Sequence, residues 1–180
     1  ARILGVAALL PFALLGCQRA EKPVATNPLA DPAKVDAGRL LAASSGSTQW
    51  LTYGGNYEET RFSPLKQIDT TNVGTLGLKW FADYDTNLDV HGTPLYVDGV
   101  LYVSLAWNKL YAFDAKTGQQ LWLYNAQVPG EWLRNVCCGN VNRGIAAYNG
   151  KIYMGTLDAR VVAIDAKTGT EAWSTQTISG

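Results

Sequence analysis

The sequence predicts an all-β protein of stacked four-stranded sheets behind a short N-terminal helix, and three observations carry that prediction. From Gly92 onward the chain is a succession of short apolar runs cut by turn residues, as in TPLYVDGVLYVS at 93–104. Its 180 residues hold six Trp and nine Tyr against four Phe, rings with a polar tip that suit half-buried strand edges. Residues 97–122 also align without a gap on 148–173, an offset of 51, with nine of the twenty-six positions identical. Four strands per roughly 50 residues, with a recurring Gly and Trp, is the pattern of a propeller blade. Such a sheet cannot bury both faces alone, so it stacks on a neighbour.

The elements follow in order. Arg2 precedes an apolar stretch, Ile3 to Leu15, which is too short to span a bilayer and has the proportions of a secretory signal. It ends in Leu14-Leu15-Gly16-Cys17, which resembles a bacterial lipobox. Residues 1–17 therefore read as an export segment with Cys17 as the lipidated residue, an ordinary cleaved signal peptide being the alternative. Either route leads to the periplasm, where disulfides persist. The chain does not open with Met, so a preceding piece is expected. Residues 18–32 carry three prolines and no apolar periodicity and read as a flexible tether. Ala33 to Ala43 is expected to be helical, with Val35, Leu40 and Leu41 on one face, ended by Ser44 to Ser47.

Residues 33–180 are read as the first part of the propeller. Asp98-Gly99 and Asn149-Gly150 sit where a hairpin needs two residues of positive φ. In each DAKTG turn, Asp114 or Asp165 is expected to cap the turn and not to act as an acid or base, with Gly118 taking positive φ. Trp122 and Trp173, closing the two repeat units, are expected to fill seams between blades, and the Trp80 region supplies part of another blade. Two blades do not close a ring, so more of the propeller, and much of any active site, is expected beyond Gly180. The zero net charge offers no field for nucleic acid.

Chemistry concentrates in NVCCGNVNR at 135–143. Two of the three cysteines are adjacent, five residues before Arg143. Bonded cysteines usually hold their Cα atoms 4.4–6.8 Å apart, whereas neighbouring Cα atoms lie about 3.8 Å apart, so a bond between Cys137 and Cys138 would be strained. Such strain persists where it serves a site. Two ordinary buried thiols are the other reading, and the dipeptide alone does not decide between them.

Together these residues resemble the pyrroloquinoline quinone (PQQ)-dependent alcohol dehydrogenases of the methanol/ethanol family, most closely the quinohaemoprotein ethanol dehydrogenase branch. The likeness runs from about Val35 to Thr177 and rests on QWLTYGGNYEETRFSPLKQI (Gln49–Ile68), TPLYVDGVLYVS (Thr93–Ser104), the two DAKTG…W units and CCGNVNRG (Cys137–Gly144). The resemblance implies an eight-bladed PQQ-type propeller with PQQ and Ca²⁺ near its axis. It implies a Cys137–Cys138 disulfide lying flat against the quinone ring, and Arg143 as a donor to the quinone oxygens. His91, the only histidine, stands where the family usually has a Glu that hydrogen-bonds the cofactor, so cofactor contact is expected of it and cofactor affinity is put in doubt. The calcium ligands and the catalytic Asp that accepts the alcohol proton would lie downstream. No C-x-x-C-H occurs here, so haem c would depend on a following cytochrome domain. The implied activity is oxidation of a small alcohol to an aldehyde, with a cytochrome c or similar acceptor. A non-catalytic propeller lipoprotein of the outer-membrane assembly type is the alternative, since it shares the lipobox and the blade repeat.

Overall fold

The computed structural model describes residues 31–88 and 90–178; the export segment with Cys17, and most of the tether, lie outside the described residues. Among the described residues no helix is long and apolar enough to cross a membrane. Helix α1 spans Ala37–Ala42, shorter than the sequence predicts, because Asp36 caps it by accepting from the Arg39 N–H at 2.8 Å. Val35 precedes that cap, so it is buried from the chain ahead of the helix and not from a helical face. Leu40 is buried but Leu41 is 66% exposed, correcting the expected shared face: one residue of helix turns the side chain through about 100°.

The segment around α1 holds both hairpins. Ala33 and Val35 accept from the N–H groups of Gly150 and Asn149 at 2.9 and 2.8 Å. Arg39 grips Asp98 with two bonds of 2.8 and 3.1 Å and reaches Gln49 at 3.2 Å. Burial opposes ionisation of Asp98, but hydrogen bonds and charge from Arg39, with a further bond from Gln49, outweigh it and hold the carboxyl below its usual range.

Two antiparallel four-stranded sheets follow. The first contains β1 (Leu95–Val97), β2 (Val100–Leu105), β3 (Lys109–Asp114) and β4 (Gln120–Asn125) in chain order. The second contains β5 (Ala146–Tyr148), β6 (Lys151–Gly155), β7 (Arg160–Asp165) and β8 (Glu171–Gln176), again in chain order. The offset of 51 read from the sequence reproduces the bounds of β1, β3 and β4 in β5, β7 and β8. A register shift recurs at equivalent points, Ala112/Phe113 and Ala163/Ile164. At the β1–β2 turn Asp98 and Gly99 have φ of 51° and 83°; at the β5–β6 turn Asn149 and Gly150 have 45° and 73°. Both are hairpin turns in which the backbone requires positive φ twice. Asp114 and Asp165 do cap their turns, each accepting from the N–H groups two and three residues on at 2.8–3.0 Å.

The sheets meet through Trp122. Its indole lies on the turn of the second sheet, where a Cβ on Gly169 would stand 2.6 Å from Trp122 Cδ2. Its N–H donates to Ala166 O at 3.1 Å, and Tyr102 packs beside it with ring centroids 5.8 Å apart. Around this dock one core gathers Leu95, Val97, Tyr102 and Leu110 from the first sheet with Ile152, Met154, Val162 and Ile164 from the second. The other face of the first sheet is covered by the chain around Trp80, whose ring sits over Gly118 in the same way and whose N–H donates to Ala115 O at 3.1 Å. β2 and β3 are consequently buried on both faces. Trp173, at the repeat position of Trp122, packs on Tyr153 of its own sheet and is 44% exposed, since no described sheet lies against that face.

Removing the dock and crowding it are expected to be costly for different reasons. In the full-length protein Trp122→Ala loses about 3–5 kcal/mol of stability in denaturant titration, through lost burial and the cavity left. Gly169→Ala loses about 1 kcal/mol or more, because its φ of 73° is unfavourable for an L side chain and the added methyl meets the indole. Arg39→Ala is expected to cost about 1 kcal/mol at neutral pH, discounted for the partial exposure of the pair. Asp98 is depressed in the folded state, so its contribution is present above the unfolded carboxyl pKa and is lost as pH falls through the folded value. The gap between Arg39→Ala and parent should therefore close on acidification below about pH 4.

Candidate functional site

The cysteines lie on the long connection from β4 to β5. A 3-10 turn at Gly130–Asn135 ends at Val136, and the chain then runs through Cys137 and Cys138 to Gly139, whose φ of 83° reverses it. Both cysteines are exposed, so the buried-thiol reading does not describe them. A hydrogen bond and charge repulsion from Cys137 push the Cys138 thiol above its ordinary range, while Arg143 opposes them through its charge and its own hydrogen bond. Arg143 thus lies within hydrogen-bonding reach of the Cys138 sulfur.

The loop is fixed to both sheets. Asn142, almost fully buried, donates from Nδ2 to Gly155 O at the end of β6 at 3.1 Å and accepts from the Gly144 N–H at 3.1 Å. Asn140 O accepts from the Trp107 N–H at 2.8 Å, on the corner between β2 and β3. The strip carrying His91 meets the same loop: the Thr93 N–H donates to Arg143 O at 3.4 Å. Gly92 on this strip is pressed between β2 and the cysteine loop, since a Cβ there would stand 2.8 Å from Ser104 O and 3.3 Å from Asn142 O. Beneath it the Ser104 hydroxyl is fully buried with no hydrogen-bond partner among the described residues. His91 itself is exposed on this strip.

One contributor went unread in the sequence. Tyr53, from the TYGG stretch, lays its ring against Gly144, where a Cβ would be 3.2 Å from Tyr53 Cδ2. The Arg61 guanidinium stacks 4.5 Å above the centroid of that ring. A hydrogen bond with Thr93, then Arg61, and at longer range Arg143, hold the Tyr53 phenol below its ordinary value. The signal was present in the quoted stretch, but nothing local says which of its aromatics turns toward residue 144.

The arrangement places an exposed sulfur surface beside Arg143, which no carboxylate among the described residues engages. A flat quinone laid on that surface would find a guanidinium at its edge, so these residues fit the group that the resemblance implies. Among the described residues no cluster of three or more His, Cys, Asp or Glu is arranged to hold a metal ion.

Comparison with known proteins bears on the family and the fold. Residues 50–176 match the family model described as PQQ: glucose/ethanol/alcohol dehydrogenase, beta-propeller domain. The chain is 47% identical over 145 residues to quinohemoprotein alcohol dehydrogenase ADH IIB of Pseudomonas putida, covering 81% of this chain and 21% of that protein. It is 45% identical over 130 residues to 1-butanol dehydrogenase (cytochrome c) of Thauera butanivorans, covering 72% and 19%. The solved quinohemoprotein alcohol dehydrogenase of Comamonas testosteroni superposes with a TM-score of 0.78 at 40% identity, over 82% of this chain and 22% of that one. The chain thus spans about a fifth of the length of the relatives it matches. With more than half of its residues inside that model, and the adjacent cysteines and Arg143 held together at the junction of two blades, the chain belongs to the PQQ glucose/ethanol/alcohol dehydrogenase β-propeller family.

Proposed function

We propose that the complete protein is an exported PQQ-dependent alcohol dehydrogenase that oxidises small alcohols to aldehydes and passes the electrons to a cytochrome c. The observation that carries this reading is the sulfur pair with Arg143 beside it, on a blade junction of this family. PQQ held by Cys137, Cys138 and Arg143 would supply the acceptor for the alcohol's hydride, and Ca²⁺ would supply Lewis-acid polarisation. Cys137 and Cys138, joined in the oxidising periplasm, would form a rigid polarisable face to hold the ring and exclude water from it. Arg143 holds a permanent positive charge where electron density accumulates on reduction. His91 offers a hydrogen bond where the family's Glu would, with a charge that depends on pH. A lipid on Cys17 would hold the enzyme at the membrane. The names of the relatives support haem c in a further domain and a cytochrome acceptor. The scaffold reading is not favoured, because the family match and the cysteine–arginine site both go with the dehydrogenases.

Full-length protein recovered from the periplasm is expected to have a Cys137–Cys138 peptide lighter by two hydrogens than the dithiol, and to reduce a dye with short alcohols only after PQQ and Ca²⁺ are added. No reduction across a broad alcohol panel would return the scaffold reading. Arg143→Leu should lower kcat by about a hundredfold, the scale of losing one preorganised donor to developing charge. The same change should slow oxidation of the reduced cysteines near pH 8. Arg143 pulls the Cys138 thiol down, so its loss raises that thiol and shrinks the thiolate fraction, and the difference should fade at pH well above the thiol range.

A further inference from the structure

The corner between β2 and β3 is the most constrained backbone near the site. Trp107 and Asn108 are consecutive non-glycine residues in the left-handed region, with φ of 59° and 54°. Asn tolerates that conformation and a bulky ring tolerates it poorly, so surrounding contacts must hold the corner there. The contacts are specific. Asn108 is only 1% exposed and uses both ends of its amide across the seam. Its Nδ2 donates to Gly155 O at 3.0 Å, and its Oδ1 accepts from the Leu157 N–H at 2.9 Å. Its own carbonyl accepts from the Ala126 N–H, where the cysteine connection begins, at 3.3 Å.

Gly155 O therefore carries two donors, Asn108 from the first sheet and Asn142 from the cysteine loop. One residue earlier than Asn108, the Trp107 N–H holds Asn140 of the same loop. We infer that Asn108 is a positioning residue: it locks the two sheets together and, through the shared Gly155 carbonyl and the Trp107 N–H, sets the height and tilt of the Cys137–Arg143 loop. A carbonyl pinned by a buried amide offers Asn142 a fixed anchor. Without that pin, β6 and the loop can shift relative to the corner while each sheet keeps its own ladder. Asn108 touches neither sulfur nor Arg143 and acts only through these intermediaries. The functional importance of the loop position rests on the dehydrogenase reading; the mechanical coupling does not.

The test is amide hydrogen exchange on the full-length protein without cofactor, beside PQQ titration of the same samples. Asn108→Gly removes the amide while keeping a residue at ease with positive φ. Exchange across 139–145 should accelerate about tenfold or more, the scale of losing a buried hydrogen bond, with 101–105 and 110–113 unchanged. Affinity for PQQ should fall by a comparable factor. Acceleration spread evenly over all these segments, or none at 139–145, would overturn the inference. Loop acceleration in a protein whose parent binds no PQQ would uphold the positioning role and overturn the dehydrogenase reading instead. If Asn108→Gly does not fold, Asn142→Ala removes the other donor to Gly155 O. It should then accelerate exchange at 106–108 and 155–157 as well as in its own loop, and silence in those distant segments would overturn the proposal.

Discussion

An indole laid on a glycine that has no room for a side chain is the contact on which this molecule is organised. Trp122 over Gly169 satisfies three requirements at once. The ring covers apolar area between two sheets, its N–H pairs a turn carbonyl that the sheet ladder leaves open, and the flat glycine sets how closely the sheets approach. The turn it rests on is itself prefolded by Asp165, so the seat does not depend on the guest. Trp80 over Gly118 repeats the arrangement on the opposite face of the first sheet. Because the same contact recurs on both its faces, the first sheet is held between its two neighbours.

The candidate site follows from that arrangement. The strip at 91–93, the corner at 104–108 and the connection at 137–144 come from separate stretches of chain. They meet because the first sheet is clasped between the second sheet and the chain around Trp80. Their meeting is mostly backbone to backbone or buried amide to backbone, which fixes position while leaving the cysteine sulfurs and Arg143 exposed. Reactive groups at the surface of a rigid frame suit recognition of a planar group, since little order has to be gained on binding.

Much of the fold was legible. Asp98-Gly99 and Asn149-Gly150 are local solutions to a local problem, and the offset of 51 carried through to the strand bounds. Errors arose where neighbours decide. Leu41 looks like a core residue by composition, but the Asp36 cap turns it to solvent. In the site, adjacency of Cys137 and Cys138 and the spacing to Arg143 were visible. Tyr53, Asn108 and Asn142 were not, because an Asn in a loop reads the same whether it faces water or holds two sheets together.

The sequence by itself determined the turn chemistry, the strand pattern, the repeat and the cysteine–arginine grouping. Each depends on residues within a few positions or on identity at a fixed spacing, which the chain displays directly. The tertiary structure alone decided which Trp is buried, that the His91 strip and the cysteine loop share a corner, and that one carbonyl, Gly155 O, anchors both Asn108 and Asn142. Those facts rest on contacts between segments distant in sequence, whose partners are chosen by how the sheets pack and not by any local preference.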